Sequence, residues 1–333
     1  MSKAYDRVDW NFLLHVLDAF DFSANVCELI KSCISSPWFS IMMNGTPLGF
    51  FKGECGLRQC DPLSPYLFIV MREVLSCLIK QSCDNNKIGQ FTQARGTPLV
   101  SHLMYADDIV IFANGGKRSM RSLMQVLKCY EGWSGQMLNK DKSAIYFSKS
   151  ISLSRKGNII LTTGFSEGGF PFKYLGVPIV VGRLKVCDFG DLLGKVKKKI
   201  AGWKMKFLSA GGRTILLSHV LSSMATHLLV VLHVPTVVIK SLNRLLSSFF
   251  WGESDGKDRR KWVAWKEICR PIDEGGLGIR DFRDIQRALH MKLAWRLISG
   301  QSLWAEFFKG KYVRGNHYLF WLLIRGRDSG SLL

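Results

Sequence analysis

Two adjacent acids, Asp107 and Asp108, follow Tyr105-Ala106 and stand between the runs Ser101-His102-Leu103-Met104 and Ile109-Val110-Ile111-Phe112. Apolar runs of this length flanking a polar tip predict a β-hairpin whose strands lie on a core while its turn holds the acids. Neighbouring carboxylates repel each other unless a cation neutralises them, and a divalent metal suits that task. Side chains alternate along a strand, so both acids reach one ion only across a tight turn. Asp107 is expected to face the metal and Asp108 the turn or a second contact. Asp is also a common turn residue, so the dipeptide alone fits a plain acidic turn as well.

The chain around this hairpin is long enough for one large domain or two ordinary ones, at 333 residues with 47% hydrophobic content. Its charge is uneven. Residues 1–150 carry 16 Lys and Arg against 13 Asp and Glu, and residues 151–333 carry 30 against 13, so most of the net +20 lies in the second half. A basic half of this kind points to a polyanion such as nucleic acid, with a merely solvated basic face as the plainer reading. Nine cysteines show no C-x-x-C pair and no His at zinc spacing, which predicts reduced thiols. The opening residues lack a signal-peptide core, so an intracellular protein of nucleus or cytoplasm is expected, not a secreted one. Residues 214–238 are apolar, but His219, His227, His233 and Pro235 interrupt them. A buried helix with a proline stop is expected there, and no membrane partner.

Helical spacing runs through Phe12, Leu13, Val16, Leu17 and Phe20, with Asp9 or Asn11 available as cap. Asn44-Gly45 between Trp38–Met43 and Leu48–Phe51 is a type I′ hairpin signal. Asp61 or Ser64 can cap a long apolar helix from Tyr66 to Ile79, with Pro65 in its first turn. Met120 to Trp133 reads as an amphipathic helix, and Ala144–Phe147 as a strand. Beyond 187, Leu192, Val196, Ile200, Trp203 and Phe207 form one apolar stripe, with Lys195, Lys197, Lys198, Lys199, Lys204 and Lys206 on the other faces. Such a helix can pack on a protein while following a phosphate backbone.

The order of five segments carries a resemblance: Ser2-Lys3-Ala4-Tyr5-Asp6, Gly56-Leu57-Arg58-Gln59-Cys60-Asp61-Pro62-Leu63-Ser64-Pro65, Tyr105–Asp108, Asn139–Ser143 and Tyr174-Leu175-Gly176. Together they resemble the palm motifs of reverse transcriptases, specifically those of LINE-type (non-LTR) retrotransposons of plants. The resemblance implies an α+β fold: a right-hand polymerase palm, an antiparallel sheet with helices on one face, followed by a mostly helical thumb. The sheet is expected to hold residues 38–51, 101–113 and 144–147. Palm with partial fingers is expected over 1–186, and a basic thumb with C-terminal extension over 187–333.

The resemblance further implies RNA template, DNA primer and deoxynucleoside triphosphates as partners and two Mg²⁺ ions as cofactor. Asp107 matches a metal ligand, with Asp108 beside it. Tyr5 matches the aromatic residue that crowds the sugar 2′ position, or is a plain core aromatic. Gln59 matches a nucleotide-pocket residue. Arg58 can meet phosphate or pair with a carboxylate. Lys142 matches a lysine that assists pyrophosphate departure, or is simply solvated. Tyr174, Leu175 and Gly176 match the primer grip, and Lys197, Lys198 and Lys204 lie on the thumb. The family's first motif reads D-x-S-K-A-[F/Y]-D, and Met1 stands just after the place of its leading Asp. An N-terminally truncated and impaired polymerase is therefore expected, with Asp6 too far along to substitute. Cys60 replaces the family's usual Gly, and a thiol there is expected to crowd the site. Two alternatives remain: a non-catalytic nucleic-acid-binding relic and a splicing cofactor derived from a reverse transcriptase.

Overall fold

The computed structural model describes residues 3–203, 208–254, 257–258 and 260–313. In the first quarter, local signals decide the elements. The Asp9 side chain accepts the Phe12 N–H at 2.8 Å and starts α1 (Trp10–Ala19). Helix α2 (Ala24–Ser35) follows, then strands β1 (Trp38–Met43) and β2 (Thr46–Lys52). Asn44 and Gly45 between them both take positive φ, +48° and +82°, as a type I′ turn requires. Helix α3 (Ser64–Asp84) is longer than its apolar spacing suggests. Asp61 does not cap it; its carboxylate accepts the Leu63 N–H at 2.7 Å in the turn before, and Pro65 fills the first helical turn.

Strands β3 (His102–Tyr105) and β4 (Asp108–Ile111) form the expected acid-tipped hairpin. Helix α4 (Lys117–Ser134) ends at Gly135, which is left-handed at φ +71°. Strand β5 (Ala144–Ile145), helix α5 (Leu153–Thr163) and strand β6 (Ser166–Glu167) complete the first compact unit. Its core has two parts. Leu13 and Leu17 of α1 meet Leu67, Phe68 and Met71 of α3, while Leu75 and Ile79 of α3 meet Leu123, Leu127 and Tyr130 of α4. Met104, Ile109 and Ile111 of the hairpin lean on that second part, so helices cover one of its faces.

The mixed α+β class follows the expectation. The single antiparallel sheet does not. Among the described residues the strands pair two by two, β1 with β2 and β3 with β4, and β5 pairs in parallel with β6. A β5 of two residues gives too short a ladder to extend the central hairpin.

Contacts divide the chain into Met1–Gln93 with Leu99–Gly168, and Ala94–Pro98 with Gly169–Leu333. The break precedes residue 186 because Val177 and Leu184 pack into the second core. That unit opens with the hairpin β7 (Phe172–Tyr174) and β8 (Val177–Ile179) and continues with α6 (Gly190–Ala201). Helices α7 (Ala210–Leu216), α8 (Ser222–Val231), α9 (Thr236–Trp251), α10 (Trp265–Ile268), α11 (Phe282–Ser299) and α12 (Leu303–Phe308) follow. Among the described residues, one continuous helix, Ala210–Val231, is long and apolar enough by composition to cross a membrane. Leu217, Leu221, Ala225, Leu228 and Leu229 of that helix are buried in the unit's core.

Candidate active site

Only two residues, Ala106 and Asp107, separate the paired ends Tyr105 and Asp108 of the central hairpin. Ala106 takes φ +47°, the left-handed conformation that lets so short a loop close. Asp107 is thus the second residue of the turn and Asp108 the first of β4. Both side chains are exposed.

Beneath the hairpin lies a charge that does not belong to an ordinary core. Arg72 occupies the buried stripe of α3 with Phe68, Leu75 and Ile79, and is 4% exposed. None of its three guanidinium nitrogens makes a hydrogen bond of normal geometry, and the Phe68 ring centre lies 5.9 Å from it. Burial pulls its pKa below the usual arginine value, while Tyr130 and Asp107 act in the opposite sense by favouring its charge. The Tyr130 hydroxyl is fully buried on α4 and its pKa is pushed up to about 12, chiefly by desolvation. It donates to Gln136 Oε1 at 3.2 Å, and Gln136 Nε2 donates to the Ala4 carbonyl at 3.0 Å. One turn beyond Arg72, Ser76 Oγ bonds His102 Nε2 at 3.0 Å and fixes α3 against β3.

The segment from Ala4 to Asp9 passes between two glycines. A Cβ on Gly56 would stand 2.8 Å from the Asp6 carbonyl oxygen, and one on Gly135 would stand 2.5 Å from that of Arg7. Backbone bonds Leu57 N–H to Tyr5 O (2.7 Å), Gly56 N–H to Val8 O (2.8 Å) and Asp9 N–H to Ser134 O (3.0 Å) hold the segment on both sides. Close approach of main chain to main chain is why both positions are glycine.

A cleft of about 290 Å³ opens beside this segment, with Asp6, Trp10, Arg58, Gln59 and Asp61 in its wall. Gln59 Nε2 donates to Asp6 Oδ1 at 3.0 Å. Tyr5 does not line the cleft; its half-buried ring stacks on Phe68 with centroids 4.6 Å apart. Tyr5, Phe68 and Arg72 thus stand in a row, ring on ring and cation beside ring. Cys60 takes φ +64°, so the thiol residue is held in a conformation that glycine adopts without strain.

Lys142 is exposed in the turn before β5, with its backbone N–H on Asn139 Oδ1 at 3.0 Å. Tyr174, Leu175 and Gly176 lie at the tip of the β7–β8 hairpin in the second unit, where Leu175 takes φ +51° and Gly176 φ +77°. Lys197 and Lys198 are exposed on α6, opposite buried Leu192 and Val196. Lys204 lies outside the described residues. Reasoning from sequence missed Arg72, Tyr130, Gln136 and His102. A lone Arg four residues after Phe68 and three before Leu75, on one helical stripe, was the readable sign of the first.

Carboxylate oxygens are the donors Mg²⁺ prefers, and one ion commonly takes one or two of them together with water and phosphate oxygens. Asp107 and Asp108 are adjacent, exposed carboxylates of that donor type. A pair of ions needs more donors, and among the described residues no three His, Cys, Asp or Glu side chains converge on a possible metal position.

The first unit holds both an acid-tipped hairpin that packs on α3 and α4 and a cleft lined by Arg58 and Gln59. Residues 1–179 match the family model "Reverse transcriptase (RNA-dependent DNA polymerase)", and the chain belongs to that family. It is 35% identical over 157 residues to an Arabidopsis thaliana protein named for ribonuclease H, covering 46% of this chain and 25% of that one. It is 26% identical over 290 residues to the transposon TX1 149 kDa protein of Xenopus laevis, covering 84% of this chain and 20% of the relative. The Pol polyprotein of the retrotransposable element R2DM of Drosophila melanogaster is 22% identical over 340 residues, 96% of this chain and 30% of that protein. The chain thus spans a third or less of the length of these curated relatives.

Proposed function

We propose that this chain is the RNA-directed DNA polymerase portion of a plant LINE-type (non-LTR) element, acting inside the cell on an RNA template, a DNA primer and deoxynucleoside triphosphates. The observation that supports the reading is one folded unit that holds both the acid tip and the Gln59–Arg58 cleft. The primer 3′-hydroxyl oxygen attacks the α-phosphorus, and the bond to pyrophosphate breaks. The hydroxyl proton passes to water, Arg58 and Gln59 orient the nucleotide from the cleft wall, Asp107 and Asp108 would hold the cation, and Lys142 gives a proton to the leaving pyrophosphate. Mg²⁺, when bound, supplies neutralisation of the phosphate charge. Tyr174, Leu175 and Gly176 grip the primer, and the lysines of α6 follow the nucleic-acid backbone.

Residues 1–333 on their own present the acids for one ion, so we expect slow synthesis from this polypeptide. Adding an Asp directly before Met1 tests the claim. On an RNA template with Mg²⁺, the extended polypeptide should incorporate nucleotides at least about 100-fold faster, a gain abolished by Asp107→Ala. Equal and robust synthesis by both forms, insensitive to Asp107→Ala, would overturn the reading. A second reading, a non-catalytic nucleic-acid-binding relic, is favoured by the basic half alone. It would show as salt-dependent RNA or DNA binding with no incorporation by either form.

A further inference from the structure

Helix α11 covers the second unit with one side and leaves the other side bare. Phe282, Gln286 and Leu297 are buried, and Ile285 and Leu289 pack on the core beside them. On the opposite side, helical spacing lines up Ala288, Met291, Trp295 and Ile298. Met291 is 70% exposed, Trp295 69% and Ile298 40%. Among the described residues no other ring lies against Trp295. An apolar strip of this kind, open to water, marks a binding surface.

Cations border the strip on both flanks, Arg283 and Arg287 along one and Lys292 and Arg296 along the other, and all four are exposed. Among the described residues none of the four forms an ion pair. Asp284 is the only acid of α11 and lies in its first turn, where the helix dipole favours it. From Arg287 to Ser299 the helix carries no acid. Flat and polarisable groups between two rows of cations complement a polyanion that has flat faces of its own. Unpaired nucleobases stack on such rings while their phosphates meet the cations, whereas a duplex hides its base faces.

We infer that the outer face of α11 binds single-stranded nucleic acid, with a base stacked on Trp295 and phosphates along Arg287, Lys292 and Arg296. These residues are not those to which the polymerase reading gives nucleic acid, the β7–β8 tip and the lysines of α6, and binding on α11 requires no catalysis.

An oligothymidylate of about 15 nucleotides carrying 5-iodouracil, photocrosslinked to purified residues 1–333, tests this on the unaltered chain. The crosslinked peptide should contain Trp295, and a hairpin duplex with the 5-iodouracil paired should give no crosslink there. Trp295→Ala should weaken oligonucleotide binding at least about fivefold, and Trp295→Phe should retain most of it. The triple variant Arg287→Gln, Lys292→Gln, Arg296→Gln should weaken binding and lower the slope of log affinity against log salt by about 2, the share of three phosphates on a single strand. Crosslinks confined to other peptides, or unchanged affinity in folded Trp295→Ala, would overturn the inference. Loss of binding to phosphatidylserine vesicles in these variants, with oligonucleotide binding intact, would also overturn it, in favour of a membrane-surface contact. A Trp295 crosslink in a chain whose Asp-extended form never polymerises would sink the polymerase reading and keep this surface.

Discussion

The cores of the two units are made of different material. In the second unit, buried Leu217, Leu221, Val234, Val238, Leu242, Leu246, Phe249 and Phe282 form one aliphatic and aromatic mass. The first unit divides its apolar residues into two smaller clusters, with Arg72, Tyr130, Ser134 and Gln136 buried among the same helices. Apolar packing is non-directional and tolerates repacking, whereas a buried polar chain demands one geometry. The second unit also buries a directional bond, Val234 N–H to Gln286 Oε1 at 3.1 Å, but it buries no arginine or tyrosine among its described residues, whereas the unit that presents the acids buries both.

Two substitutions of comparable size should break this contrast if it is wrong. Leu242→Ala should cost about 2–5 kcal/mol by cavity formation, with loss of amide exchange protection concentrated in the second unit. Gln136→Leu should cost about 1–3 kcal/mol, because it strands the Tyr130 hydroxyl and the Ala4 carbonyl, and its loss of protection should fall in the first unit. A neutral Gln136→Leu would mean the polar chain is incidental.

A smaller effect sharpens the comparison with one backbone device from each unit. Cys60 and Leu175 are both held at positive φ, +64° and +51°. Cys60→Gly and Leu175→Gly should each raise stability by about 0.5–1 kcal/mol in denaturant unfolding, the relief of left-handed strain less the entropy of glycine. Unequal signs would show that one tip is held in place by contacts stronger than its strain.

The smallest expected effect is a pH response of the first unit. Burial, then Lys80, holds the His102 pKa below the usual imidazole value of about 6.5. The unfolded chain therefore takes up a proton first as pH falls, so the stability supplied by neutral His102 is complete above about 6.5 and is lost progressively below it. His102→Gln should flatten the first unit's stability between about pH 7.5 and pH 5, measured by the same amide exchange. A parent chain with no slope there would remove His102 from the polar chain.

Features written in short stretches were legible. The Asp9 cap, the Asn44-Gly45 turn and the acid-tipped hairpin all depend on neighbours within a few residues. Which acid sits in the turn depends on loop length, which composition does not reveal. Helix α5 escaped notice because its apolar face is thin, with Ile159 and Thr163 its buried residues. The parallel β5–β6 pairing, the burial of Arg72 and the seating of residues 4–9 between Gly56 and Gly135 are agreements between distant parts of the chain. A local pattern cannot announce them.

That last seating has a kinetic consequence. The Gln136 bond to Ala4 spans 132 residues, and the Trp10 indole bond to the Gly56 carbonyl spans 46. Closing loops of that length comes before any reward from the contacts, which slows the step. Residues 4–9 cannot settle until everything through Gln136 has been synthesised and α4 has formed. Although translated early, this strip of chain is among the last pieces of the first unit to find its place.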